Sequence, residues 1–286
     1  MRRFLNGIVP AAIIAAAATA MIGCGSSTGS ITTSAPTKQP SPSSAGPAAP
    51  SPGATSASGA LPVWPSAAAL AATERWLRER IGVTALAVID SRGRLQGYRY
   101  DTQFGSASVV KAMLLVQYLR THAGIPRHER LLLTRMIVDS DNAATDTVFA
   151  HVGTGGLSDL ARVAGMSRFT PSSVWALSLV TAADQARFFY RIDSLVPQRH
   201  QALLERVLGE HGPYRGWGIP QAALLRGWHV WWKDGWMHSA RGELLLQVAR
   251  LERQGITFAV AVIADGQPTS GYGVATMSGV GERLLR

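Results

Sequence analysis

The sequence contains a serine and a lysine at a spacing suited to nucleophilic chemistry. In Ser108-Val109-Val110-Lys111 the two side chains are three residues apart, so on a helix the Ser108 hydroxyl and the Lys111 amine can meet. A desolvated lysine can shed its proton and act as the base for a serine nucleophile. Near a helix amino terminus, Ser108 would also have free backbone N–H groups to stabilise an oxyanion. The competing interpretation is a surface lysine behind a helix-capping serine.

The scarcity of lysine makes a functional amine more credible. Of the 28 basic residues, 25 are arginine, and the three lysines are Lys38, Lys111 and Lys233. Arginine stays protonated, so it cannot replace a lysine that must act as a base or proton relay. A sequence that meets its general need for positive charge with arginine therefore draws attention to Lys111 and Lys233.

The helical pattern around Lys111 predicts that its side chain points inward. At 100° per residue, Gln117, Arg120 and Thr121 cluster on one side of the helix, and Ser108 and Lys111 fall on roughly the opposite side. If the polar cluster faces water, the Ser–Lys pair faces the protein interior.

Two further polar segments are each weak signals alone. Taken alone, Ser140-Asp141-Asn142 is better explained as the cap of a helix that starts near Ala143. Lys233-Asp234-Gly235 lies on a predicted strand, where a lysine is most often a solvated edge charge.

In this order, the S-x-x-K, S-D-N and K-x-G segments form the set found in class A β-lactamases and penicillin-binding proteins. The chain resembles that superfamily over about residues 64–286, and most closely its divergent β-lactamase-like lipoproteins from actinobacteria. The resemblance implies an α+β fold with an antiparallel sheet, flanking helices at both chain ends and an inserted all-helical lobe.

The resemblance also implies roles for the matching residues. Ser108 would be the acylated nucleophile and Lys111 the general base or proton relay. Ser140 would pass a proton to the leaving nitrogen. Lys233 would position Ser140 and set the local positive potential.

The remaining matched residues would bind the substrate, either a β-lactam or the D-Ala-D-Ala end of a peptidoglycan stem. Asn142 would hold the acyl side-chain amide, and the N–H groups of Ser108 and Trp236 would form the oxyanion hole. Asp234, Gly235 and Trp236 would form the part of the strand that contacts the substrate. No cofactor or metal is implied.

The sequence departs from the family pattern in ways that bear on activity. Asp234 replaces a Thr or Ser that helps to bind the substrate carboxylate, and an ionised Asp would repel it unless Arg215, Arg226 or Arg241 neutralises it. The stretch 169–179 lacks the glutamate that activates the deacylating water in class A enzymes. Trp236 is bulky where small residues are usual. We expect most of the tryptophans between positions 217 and 236 to pack on the sheet.

Two functions from different classes therefore stay open. One is a cell-envelope serine hydrolase that acts through an acyl-enzyme, with efficient turnover of β-lactams disfavoured by the missing glutamate. The other is a catalytically degenerate lipoprotein that uses the same fold to bind peptidoglycan or a partner.

The order of predicted elements agrees with the implied fold. We expect a helix from Ser66 to about Ile81, strands at 84–89 and 95–100, a helix at 107–120 and mostly helix over 128–210. Strands at 228–236, 244–251 and 256–264 and a helix at 274–286 follow. This predicts a sheet lobe of residues 64–104 and 226–286 and a helical lobe of residues 105–225.

The amino-terminal region predicts export and anchoring. Residues 1–24 read as a signal peptide in which Met21-Ile22-Gly23-Cys24 resembles a lipobox, making Cys24, the only cysteine, the lipidation site. Residues 25–63 are rich in Ser, Pro and Ala and are expected to be a disordered linker. The formal net charge of +10 suits an anionic envelope surface better than nucleic acid. We expect a monomer held outside the cytoplasmic membrane.

Overall fold

The structure is a computed structural model that describes residues 62–209 and 216–286. The predicted signal peptide and lipidation site, and all but the last two residues of the predicted linker, lie outside these ranges. Within them, no helix is long and apolar enough to cross a membrane.

The described chain forms eight helices, seven strands and two short 3-10 turns. The helices are α1 (Ala67–Arg78), α2 (Val110–Thr121), α3 (Arg127–Val138), α4 (Asn142–Ala164), α5 (Ala182–Tyr190), α6 (Gln198–Gly209), α7 (Ile219–Leu224) and α8 (Ser270–Leu284). The strands are β1 (Val83–Ile89), β2 (Leu95–Tyr98), β3 (Gln103–Gly105), β4 (Leu179–Thr181), β5 (His229–Ser239), β6 (Gly242–Arg253) and β7 (Ile256–Gln267). The 3-10 turns are Ala107–Val109 and Trp175–Leu177.

The main sheet is built from both ends of the chain, as predicted. Its five strands are ordered β2-β1-β7-β6-β5, and every neighbouring pair is antiparallel. The segment between β2 and β5 is mostly helical and forms the inserted layer. Strand β5 lies at one edge of the sheet, where it is free to run beside the Ala107–Val109 turn.

The central strands are buried on both faces, which explains their unbroken apolar sequence. On β7, Ala261 and Ile263 pack into the core shared with α2 and α5. Val260 and Val262 pack into a second core on the opposite face. Helices α1, α7 and α8 cover that second face.

Helix α2 has almost no solvent-exposed side. Its residues from Val110 to Leu119 are all buried, because α3, α4 and α6 pack around it. The condition that the polar cluster faces water is met only in part, because Thr121 is exposed and Arg120 half-buried but Gln117 is only 8% exposed. Lys111 is buried as predicted, but burial of the whole helix is the reason, and not an amphipathic pattern.

Short elements that depend on tertiary pairing were not predicted. Strands β3 and β4 have three residues each and form a separate two-stranded sheet, and Leu179 of β4 makes one further bridge to Thr170. Helix α7 has six residues and packs on the outer face with α8, although its sequence position placed it in the helical lobe.

Ser66 caps α1 as predicted, because its hydroxyl accepts the N–H of Ala69 at 3.2 Å.

Close packing of α8 against α1 yields a stability prediction. A Cβ atom at Gly279 would overlap the indole of Trp76, whose N–H donates to the Thr276 carbonyl at 3.0 Å. We expect Gly279→Ala to lower the free energy of unfolding by about 1–3 kcal/mol through overpacking. The gain in helix propensity of about 1 kcal/mol offsets part of this loss, so the comparison is made with a glycine of the same helix that has space for a Cβ atom. Denaturant unfolding followed by circular dichroism measures the change.

Gly271→Ala in the same helix is the matched control, because its Cβ would meet nothing closer than Thr269 Oγ1 at 3.9 Å. Equal stability of the two variants would contradict the packing argument.

Candidate active site

Ser108 lies in the 3-10 turn that leads directly into α2, and its side chain is half-buried. The turn is tied to the loop before β4: the Ser106 N–H donates to the Ser178 carbonyl at 2.8 Å. The Ser106 hydroxyl lies 3.2 Å from the carbonyl oxygens of Trp175 and Ala176. Ala107 has a φ of 43°, a conformation that non-glycine residues rarely adopt. Ser108 is therefore presented on a strained, well-anchored turn.

The Lys111 amine is buried and surrounded by oxygen atoms. It donates to the Ser140 carbonyl at 2.6 Å, the Ser140 hydroxyl at 3.2 Å and Asn142 Oδ1 at 2.8 Å. These contacts use its three donors. Among the described residues, Ser108 is not one of its hydrogen-bond partners, so the expected Ser108–Lys111 contact is absent from this state. The reason is that Ser140 and Asn142 satisfy the amine, and that Ser108 precedes the α-helix proper.

The environment of Lys111 favours its neutral form. Loss of hydration on burial, followed by repulsion from the charge of Lys233, lowers the pKa of Lys111 from 10.5 to about 8. The carboxylates of Asp141, Asp234 and Asp146 act in the opposite direction. At pH 7 roughly a tenth of the molecules would carry a neutral amine, enough for a proton acceptor in a reaction.

The Ser140–Asn142 segment both caps helix α4 and contacts the Lys111 amine. Asp141 is the cap of α4, because its carboxylate accepts the Ala144 N–H at 2.8 Å and pairs with Arg135. The Ala144 N–H first, and then Arg135, hold the pKa of Asp141 below its usual value. Ser140 has a left-handed φ of 52°, and both its hydroxyl and its carbonyl reach Lys111. The cap thus fixes the two flanking residues around the amine.

Lys233, on β5, is buried and paired with its own neighbour. Its amine donates to Asp234 Oδ1 at 2.9 Å and to the Asp234 carbonyl at 3.1 Å. The other carboxylate oxygen of Asp234 accepts the indole N–H of Trp217 at 3.1 Å. A cavity of about 360 Å³ lies beside this pair. Its lining residues are Ile137, Val138, Ser140, Gly216, Trp217, Trp232, Lys233 and Asp234.

Gly235 allows the edge strand β5 to approach the Ala107–Val109 turn closely. A Cβ atom at this position would lie 3.0 Å from the Ser108 backbone nitrogen and 3.2 Å from the Ser106 carbonyl oxygen. The absence of a side chain therefore permits close approach. Trp236 follows next, so the two N–H groups expected to form the oxyanion hole belong to adjacent segments. Their catalytic role remains a prediction.

Two site residues were missed by sequence reasoning. The indole N–H of Trp175 donates to Asp146 Oδ1 at 2.7 Å, and the ring centroid lies 4.9 Å from the Lys111 amine. Asp146 comes one helical turn after Asn142, and that spacing was the signal that could have found it. No sequence signal singled out Trp175. The loop that contains Trp175 therefore places an indole ring next to the Lys111 amine.

The expected neutralisation of Asp234 by an arginine is not found at two of the three proposed positions. Arg226 donates to the Ala222 carbonyl at 2.9 Å, and Arg241 pairs with Asp265 at 2.8 Å. Both side chains are engaged elsewhere in the fold. Arg215 lies outside the described residues.

The tryptophans divide between packing and exposure. Trp228, Trp231 and Trp232 are buried in the two cores, as the packing interpretation predicts. Trp236 differs, because it is 52% exposed and donates its indole N–H to Glu243 at 2.7 Å. Among the described residues, no group of three or more His, Cys, Asp or Glu is arranged to hold a metal ion.

The scarcity of lysine allows the Lys111 pKa to be measured directly. Protein labelled with ¹³C-lysine contains only three labelled side chains, and loss of one NMR signal in Lys111→Arg assigns that residue. We expect the Lys111 signal to titrate with a midpoint near 8. In Lys233→Met the midpoint should rise, because the repulsion from Lys233 is lost. A wild-type midpoint near 10.5 would contradict this description of the site.

Solved structures share this fold at low sequence identity. A β-lactamase from Burkholderia vietnamiensis matches with a TM-score of 0.65 and 20% identity, over 77% of this chain and 96% of that chain. A class A β-lactamase from Mycobacterium abscessus matches with a TM-score of 0.63 and 19% identity, over 76% and 98%. A β-lactamase from Sphaerobacter thermophilus DSM 20745 matches with a TM-score of 0.63 and 17% identity, over 76% and 95%. No curated protein sequence matches the chain.

A family model described as the beta-lactamase enzyme family matches residues 129–286, more than half of the chain. The matched range contains the Ser140–Asn142 segment and the Lys233–Gly235 segment, and it begins after Ser108 and Lys111. With the matching α+β architecture, this chain belongs to the β-lactamase enzyme family and to the wider superfamily of β-lactamase-like and transpeptidase-like proteins.

Proposed function

We propose that this protein is a cell-envelope serine hydrolase in which a β-lactam or a peptidoglycan-type amide acylates Ser108. The observation that carries the proposal is the buried Lys111 amine, held between Ser140 and Asn142 one turn after Ser108. A buried amine with a lowered pKa is the group that a weak serine nucleophile needs nearby.

The acylation step assigns a task to each polar group. The Ser108 oxygen forms a bond to the substrate carbonyl carbon while neutral Lys111 accepts the Ser108 proton. The C–N bond then breaks, and Ser140 donates a proton to the departing nitrogen and regains one from Lys111. The N–H groups of Ser108 and Trp236 stabilise the oxyanion. In the free enzyme the Lys111 amine turns toward Ser140, and catalytic hydrogen bonds commonly tighten only when substrate binds.

Hydrolysis of the acyl-enzyme is proposed to be slow. The loop from Phe169 to Leu179 supplies no carboxylate to activate water. It places the Trp175 indole over Lys111 and hydrogen-bonds that indole to Asp146. An aromatic ring in this position occupies space next to the amine and offers no proton acceptor.

Adduct formation tests the proposed acylation. Folded protein is incubated with a fluorescent penicillin and, separately, with an activated ester, and the adduct is mapped by mass spectrometry. We expect modification of Ser108 that persists for minutes or longer after excess reagent is removed. Ser108→Ala should remain unmodified, and Lys111→Arg should acylate at least about a hundredfold more slowly, because its side chain cannot take up a proton. No adduct with either reagent would overturn the proposal.

A second candidate is a non-catalytic scaffold that binds peptidoglycan. Two observations favour it: the Lys111 amine faces Ser140 and Asn142, and the charge of Lys233 is matched by Asp234. Binding of peptidoglycan fragments that is equal in the wild type and Ser108→Ala, without any adduct, would support the scaffold over the enzyme.

We further propose that the protein is anchored by a lipid on Cys24. The sequence supports this, because the only cysteine ends the apolar segment of the signal in Met21-Ile22-Gly23-Cys24. In the native host we expect the full-length protein in the membrane fraction and labelled by a fatty-acid analogue. Cys24→Ser should lose both properties. Membrane association without labelling would contradict lipid anchoring.

A further inference from the structure

The Lys233–Asp234 ion pair bears on which substrates the site can accept, a question separate from whether Ser108 is acylated. Lys233 is 1% exposed, and the carboxylate of Asp234 lies 2.9 Å from its amine. The other carboxylate oxygen is held by the Trp217 indole. The buried cation at this position therefore already has an anion, supplied by the chain itself.

The pair lies where a substrate group next to the reacting bond would enter. The same cavity of about 360 Å³ is lined by Ser140, Lys233, Asp234 and Trp217. The hydroxyl of Ser140 is bonded to Lys111, and Gly235 of the same strand packs against the Ser108 backbone. A substrate acylating Ser108 would thus extend toward Asp234, whose side chain is 28% exposed.

A substrate carboxylate and an uncharged substrate group would interact with the Lys233–Asp234 pair very differently. A substrate carboxylate would have to displace Asp234 from Lys233 or lie beside it as a like charge, and like charges a few ångströms apart repel strongly where water is partly excluded. An ester or amide carries no net charge and avoids this repulsion. Exclusion by an unfavourable contact is a common route to specificity.

We propose that Asp234 is a specificity-determining residue that closes the Lys233 subsite to carboxylates, so that the enzyme accepts acyl donors that are uncharged at this position. This inference rests on the proposed acylation of Ser108. It narrows the substrate class to neutral esters and amides. The Asp234 carboxylate then occupies the position beside the Lys233 amine that a substrate carboxylate would otherwise take.

One penicillin offered in two forms tests the proposal. The free acid and its methyl ester contain the same reactive amide and differ in charge at the group expected near Asp234. Rates of Ser108 adduct formation are measured by mass spectrometry for both forms. We expect the ester-to-acid rate ratio of the wild type to exceed that of Asp234→Asn by at least about tenfold. Asp234→Asn keeps the shape of the side chain and removes its charge.

Control variants separate a local effect from a general change in charge. Asp159→Asn removes one negative charge from an exposed position on α4, where Asp159 pairs only loosely with Arg162 at 3.7 Å, and should leave the ratio unchanged. Asp234→Thr provides a second neutral variant if Asp234→Asn does not fold. Thermal unfolding verifies that each variant is folded.

The outcomes distinguish this inference from the proposed function. Acylation of Ser108 with an equal ratio in the wild type and the Asp234 variants would overturn the specificity assignment and leave the proposed enzyme intact. A wild type that prefers the free acid would overturn it as well. No acylation by either form, or by an activated ester, in any folded variant would instead remove the proposed function on which the inference rests.

Discussion

The site depends on the burial of one amine without a directly bonded carboxylate. Taking a lysine ammonium out of water is costly, and a protein offsets that cost with hydrogen-bonded oxygens or by letting the group lose its proton. Here three oxygens from Ser140 and Asn142 surround the Lys111 amine, and its pKa is lowered to about 8, so the amine stays mostly protonated at pH 7 but loses its proton easily. The left-handed backbone of Ser140 and the cap formed by Asp141 are the means by which those oxygens converge.

The two buried lysines have different electrostatic surroundings. Lys111 is held by neutral oxygen acceptors, whereas Lys233 has a full counter-charge in Asp234. The charge of Lys233 acts on Lys111 and favours its neutral form. A site that contains one amine suited to proton transfer and one fixed ion pair has the division of roles that acid–base chemistry requires.

The sequence was sufficient for the parts of the fold that local patterns determine. The long strands β6 and β7, the Ser66 cap and the helical insertion follow from apolar runs and turn residues. The contacts of Gln117 and Trp175 do not, because α2 is enclosed by helices distant in sequence and Trp175 meets Asp146 across 29 residues. Ser140 and Lys233, which the order of the motifs grouped together, line one cavity. The motif order did not foresee that the Lys111 amine would hydrogen-bond to Ser140 and Asn142 and not to Ser108, since that depends on which acceptors lie within reach.

The charges at the site also explain how one scaffold can carry altered chemistry. Relative to the family pattern, a carboxylate is missing from the loop over Lys111 and another is present on the strand beside it. In the proposed enzyme, the first difference would leave the acyl-enzyme without that water-activating group, and the second would change the group that meets an incoming substrate. The Trp175 and Asp234 side chains are each held in place by an indole hydrogen bond, since Trp175 donates to Asp146 and Trp217 donates to Asp234. In the proposed function, specificity and turnover therefore depend on side-chain charge at these two positions, while the sheet and α2 hold the turn that carries Ser108.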